Sequence, residues 1–186
     1  MNFRISRISN GNLDIDLEID NFSVRFNPTF ETDALGEFVT YLAAIHPLCN
    51  VGWKPGAFNK VEPLVWHQGG ILVEWVLKRD FEDLTIQLTY KQNGAMYNDE
   101  VNKVLDQKTI SCNFDTFVFN VVKELDRVVK EYGILGYRYG WQSFSFPLDG
   151  YLALKRAVLH QQPFNLLDGN STSLIEEIEL IMKNIE

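Results

Sequence analysis

Cysteine is almost missing from this chain: only Cys49 and Cys112 occur. Neither stands in a Cys-x-x-Cys or Cys/His ligand spacing, so no disulfide framework, zinc site or redox motif is expected. Long hydrophobic runs are absent too. No stretch approaches the ~18–20 apolar residues of a membrane span, and Arg4 and Arg7 are followed by alternating apolar and acidic residues rather than by a signal-peptide core. A soluble, cytoplasmic protein with no membrane partner is the expectation. Positive charge is in short supply as well: 17 Lys and Arg stand against 25 Asp and Glu, a net charge of −8. Nucleic-acid binding is therefore not expected, because cations neutralising phosphates supply most of its affinity. A basic partner is electrostatically easier, although acidity also serves solubility.

Catalytic signatures are equally sparse. The histidines are His46, His67 and His160, and no serine or cysteine carries a nucleophile motif such as Gly-x-Ser-x-Gly. Gly133, Gly136 and Gly140 follow a helix pattern, whereas a dinucleotide-binding loop lies between a strand and the helix after it. They read as a helix stop and turns. No cofactor and no metal are expected, and a binding role leads over an enzyme.

What is present is patterned. With 186 residues, one domain can bury roughly 70% of the surface of its unfolded chain. Leu13, Ile15, Leu17 and Ile19 alternate with Asp14, Asp16, Glu18 and Asp20, and Phe22, Val24 and Phe26 continue the period of two. These are half-buried strands joined by a two-residue turn at Asp20–Asn21, which pairs Ile19 with Phe22. Phe3, Ile5 and Ile8 suggest a preceding strand, reached through Asn10-Gly11-Asn12. Further strands are expected at Ile71–Lys78, Leu84–Tyr90 and Lys108–Phe114. Residues 48–70 read as a long loop holding Trp53 and Trp66, and residues 92–107 as polar and irregular.

Helical spacing marks four segments. Leu35, Phe38, Val39, Leu42 and Ile45 form a stripe over 32–46, capped by Thr32 or Asp33 and stopped by Pro47. Val118, Val121, Val122, Leu125, Val128, Val129 and Tyr132 form a second stripe, capped by Asp115 and ended by Gly133. Pro147 opens a third helix through 161. Ser173 and Glu176 make a capping box for a last one, striped by Leu174, Ile178, Ile181, Met182 and Ile185. The fold class is α+β: a mainly antiparallel sheet of five or six strands with helices on one face. Residues 1–162 form the single domain, and 163–186 a linker and an amphipathic helix docking on the domain or on a partner.

Two groups are candidate contacts. Asp14, Asp16, Glu18 and Asp20 share one strand face at roughly 6.5–7 Å spacing. That ladder suits a solvated outer face, a basic protein surface or, less well, a metal, whose ligands usually converge from a loop. The second group is aromatic: Trp53, Phe58, Trp66 and Trp75, then Tyr132, Tyr137, Tyr139, Trp141, Phe144 and Phe146 beside Arg138. Such residues fill cores, dominate protein interfaces and line ligand clefts. The candidate partner-binding residues are Asp14, Asp16, Glu18, Asp20, Trp53, Trp66, Tyr137, Arg138, Tyr139 and Trp141.

The strings FNPTFETDALGEF at 26–38, Trp53 with Glu62-Pro63, DTFVFNVVKELDRVVKEYGILGYRYGW and FPLDGYLALK together resemble a bacterial family of small α+β immunity proteins encoded beside polymorphic toxins. The likeness spans about residues 20–156 and is one of spacing, without a catalytic signature. It implies a protein that blocks a partner, here a basic toxin met by an acidic surface. A small-molecule sensor with an aromatic cleft and an unrecognised enzyme are the alternatives.

Overall fold

The computed structural model describes residues 1–49, 63–96, 102–142, 144–161 and 172–185. Trp53, Phe58 and the expected linker 164–170 lie outside the described residues. The N-terminal sheet is a meander of β1 (Asn2–Ser9), β2 (Asn12–Ile19) and β3 (Phe22–Phe26), antiparallel throughout. Ile19 pairs with Phe22 as the parity requires. In β1 the register slips between Ile5 and Arg7, leaving Ser6 without an opposite number. That bulge reverses the alternation, so Phe3 and Ile5 before it and Ile8 after it all reach the core.

The second sheet runs β4 (Leu64–Gln68), β5 (Ile71–Asp80), β6 (Asp83–Gln92) and β7 (Val104–Asn113). Two antiparallel sheets of three and four strands thus replace the expected single sheet. β3 ends at Phe26, and beyond it the chain touches both sheets: the Pro28 carbonyl accepts from the Leu13 N–H at 3.3 Å, and the Thr29 N–H donates to the His67 carbonyl at 2.8 Å. The expected loop at 48–70 contains β4, and Trp66 sits in it opposite Val73. The irregular reading of 92–107 also shortens: β7 begins at Val104, its first half exposed on both faces and so without apolar alternation.

Helix α1 (Ala34–Ile45) is capped by Asp33, whose carboxylate accepts from the Gly36 N–H, and ends at His46. Its Phe38 joins the layers: the ring stacks on Phe3 of β1 at 5.6 Å, and meets Trp66 at 5.7 Å, Trp75 at 5.5 Å and Phe117 at 6.2 Å. Phe26 reaches the same tryptophans at 5.4 and 4.7 Å. The core therefore lies where both sheets and two helices converge.

Helix α2 (Phe114–Trp141) differs from expectation at both ends. Asn113, not Asp115, is its N-cap, accepting from the Thr116 N–H at 2.9 Å. Gly133 kinks it rather than stopping it, at φ 68° and ψ 169°, a conformation that suits a residue without Cβ. The helix resumes toward Trp141, and at Gly140 a Cβ would stand 2.8 Å from the Ile8 carbonyl oxygen. Glycine lets the backbones touch there: the Gly11 N–H donates to the Gly140 carbonyl at 3.0 Å. Along β1, α2 also closes an open sheet edge. Glu124 accepts from the Ile5 N–H at 2.6 Å and Arg127 donates to the Ile5 carbonyl at 2.8 Å. Helices α3 (Leu148–His160) and α4 (Leu174–Met182) complete the order, α4 opened by the expected capping box of Ser173 and Glu176. No helix among the described residues is long and apolar enough to cross a membrane.

Candidate functional site

Cross-strand register decides what the acidic ladder can do. Asp16 lies between Arg4 on β1 and Arg25 on β3, and Asp14 lies opposite Arg7. The Arg25 guanidinium hydrogen-bonds Asp16 at 2.5 Å and holds its carboxyl below the usual range, with help from Ser6. Asp14 accepts from Arg7 at 3.1 Å and from Asn27 at 2.8 Å. Three arginines thus answer the upper part of the row, and the face is a mixed-charge lattice instead of an acidic strip. Glu18 is exposed between Asn2 and Ser23, and Asp20 occupies the left-handed position of the turn at φ 50°. These two carboxylates form no ion pair with a described residue.

The aromatic group divides. Trp66, Tyr137 and Trp141 are fully buried, so they act in packing and cannot touch a partner in this fold. Trp66 packs between Phe26, Phe38 and Trp75, and Tyr137 meets Phe146 edge-on at 5.4 Å. Tyr139, at 81% exposure, points outward with Arg138 and Leu135 from the segment after the kink. Trp53 lies outside the described residues.

Two features lie outside the candidate contact residues. The first is a buried charge cluster. Lys155 of α3 is fully buried, bonded to Asp126 and donating to the carbonyls of Ile181 and Lys183 at 3.0 and 2.5 Å. Tyr151 donates to Asp126 at 2.7 Å, and Lys130 reaches Asp126 at 2.8 Å and Asn184 at 2.9 Å. Burial pushes the Asp126 carboxyl up, but hydrogen bonds from Lys130, Lys155 and Tyr151 outweigh it and hold it below the usual range. The two lysines clamp the carbonyl end of α4, where a helix dipole favours cations. A Tyr/Lys pair at this spacing could serve proton transfer, yet Lys155 has no open side for a substrate.

The second feature is the opposite flank of α4. Leu174, Ile175, Ile178 and Met182 are exposed by 71, 68, 50 and 67%, beside Glu176, Glu177 and Glu179. The expected stripe docks only through its end: Ile181 packs against the core and Ile185 is buried. Lys155 grips the carbonyls of Ile181 and Lys183 at this end, and nothing in a one-residue pattern announces a buried lysine on another helix.

Groups suited to catalysis are not assembled among the described residues. Burial pushes the Cys49 thiol up to about 12 and the Cys112 thiol up to about 11, away from the reactive thiolate. His46 is buried against Phe114 with its Nδ1 accepting from the Leu48 N–H at 3.2 Å, and burial lowers it to about 4. His67 Nδ1 comes within 2.9 Å of Glu31 without hydrogen-bond alignment. Burial raises the carboxyls of Asp33 and Glu37, but Asp33 is occupied as the α1 cap. No cluster of three metal-ligating side chains occurs among the described residues. The α3–α4 groove has a volume of about 580 Å³, lined by Leu152, Ala153 and Leu180 together with Arg156, His160 and Glu177.

Comparison with protein-family models, with curated proteins and with solved structures finds no match for this chain.

Proposed function

We propose that this chain is a non-catalytic protein-binding module, an immunity- or antitoxin-like protein that neutralises a basic toxin in the cytoplasm. The observation that carries this reading is the exposed flank of α4, four large aliphatic side chains beside three glutamates on one short helix. An apolar patch with a charged border is the anatomy of a partner interface, and its negative rim favours a basic surface. Glu18, Asp20, Arg138 and Tyr139 are further exposed side chains available to such a partner.

Affinity capture followed by co-expression tests the reading. The captured partner is expected to be basic, to arrest growth when expressed alone and to be harmless beside this protein. Ile178→Ser with Met182→Ser should weaken the purified complex at least tenfold. An acidic partner, or one whose toxicity persists on co-expression, overturns the proposal.

The α3–α4 groove supports a second reading, a small-molecule sensor, because its volume lies in the range of ligand pockets. A metabolite library screened by thermal shift should then yield a compound that raises Tm. Absence of any stabilising compound removes it.

A further inference from the structure

Four hairpin turns can be compared within the two sheets. Three place in the left-handed region the residues that tolerate it: Asn10 and Gly11, Asp20, and Gly69. The β5–β6 turn places Phe81 there, at φ 51°. A bulky residue in that conformation is an outlier, and here nothing in packing compensates it, since Phe81 is 86% exposed. The turn is also firmly set. Asp80 pairs with Asp83 across it, and the Glu82 carbonyl accepts from the Phe114 N–H at 2.7 Å, tying the tip to the start of α2. Asp80, Glu82 and Asp83 flank Phe81 in the chain, all exposed, and none is ion-paired with a described residue. The nearest cation in sequence, Arg79, is turned away over the Phe114 ring at 4.7 Å.

Backbone strain kept at an exposed site is characteristic of a functional contact. We infer that Phe81 is an anchor residue, inserted into an apolar pocket on a protein partner whose rim carries lysine and arginine. A rigid tip loses little freedom on binding, and an aromatic ring seated in a pocket within a desolvated charge ring has the makeup of an interface hot spot. This inference rests on the protein-binding reading and locates a contact within it, distinct from the flank of α4.

The test uses the whole chain and a random cyclic-peptide display library panned on it, with the affinity of selected peptides measured by interferometry. Selected peptides are expected to carry an apolar residue among Lys and Arg. They should bind Phe81→Asn at least tenfold more weakly, and the Asp80→Asn/Glu82→Gln/Asp83→Asn variant likewise, with a steeper loss at low salt. Phe81→Asn should meanwhile melt no lower than the parent, because Asn accepts the left-handed conformation, so lost binding is not lost folding. Equal affinity of the selected peptides for both variants, peptides without basic residues, or no enrichment at all overturns the anchor. Where a captured basic toxin binds Phe81→Asn as tightly as the parent, the anchor fails while the neutralising function stands.

Discussion

Asp16 meets Arg25 in water; Asp126 meets Lys155 out of it. Both are carboxylate–cation contacts of short range, yet they hold different things. On the outer face of the β1–β3 sheet, solvent screens each pair and either partner can rehydrate when the other is lost. Lys155 itself is fully buried, so its contacts with Asp126 and with the end of α4 depend on one another, and the position of that helix end depends on the set. The same chemistry is decoration on one side of the molecule and a joint on the other.

Removing one partner from the joint should produce the largest effect. Lys155→Met leaves Asp126 without its buried cation and frees the carbonyls of Ile181 and Lys183. We expect a loss of about 3–5 kcal/mol by chemical denaturation and faster hydrogen exchange in α4. Lys155→Met with Asp126→Leu should recover part of it; no recovery would mean that the carbonyl contacts, not the ion pair, carry the energy. Acid probes the same joint: Asp126 has a lowered folded pKa, so its contribution is full above the ordinary Asp value of 3.8. It disappears as pH falls through the lower folded value.

His46 sharpens the comparison, being buried with no carboxylate bonded to it. Its folded pKa of about 4 lies below the ordinary 6.5, so the unfolded chain binds the proton first. Stability should therefore fall as pH drops from 6.5 toward 4, by at most about 3 kcal/mol. His46→Asn, which keeps an acceptor for the Leu48 N–H, should flatten that slope of Tm against pH. Next in size is Phe81→Gly: relieving the left-handed phenylalanine should gain about 1 kcal/mol in equilibrium unfolding. A loss there would mean that the ring packs on the body in solution. The smallest effect belongs to the outer face, where Arg25→Gln should lower Tm slightly in low salt and not at all in high salt. A salt-independent loss would erase the distinction between the two regions.

Legibility in the sequence follows the range of each interaction. Strands β1–β3, the paired register at Ile19 and Phe22, and the capping box at Ser173 rest on neighbours within a few residues, and local pattern shows them. Strand β4 was hidden because it is only five residues long, with Trp66 its one fully buried side chain, and the start of β7 before Lys108 because it is exposed on both faces. The candidate contacts were readable only in part. The alternation of Asp14 and Asp16 is plain, but the arginines opposite them come from other strands and emerge only with the register. Density of aromatics could not separate Trp66 and Trp141, packed inside, from Tyr139, left outside. The Lys155 cluster joins three segments far apart in the chain, and no spacing rule reaches that far.

The grip of Glu124 and Arg127 on Ile5 has a consequence for how this molecule behaves in a crowd. A donor and an acceptor on a helix complete the outer row of β1 as a neighbouring strand would, so that border of the sheet offers no vacant template at Ile5. Fibrillar growth by strand addition is thereby closed off at that point without a proline or an exposed lysine. Loosening α2, by a truncation or by Glu124→Ala, would turn a finished border into a nucleation site, with turbidity and thioflavin fluorescence rising before any loss of secondary structure.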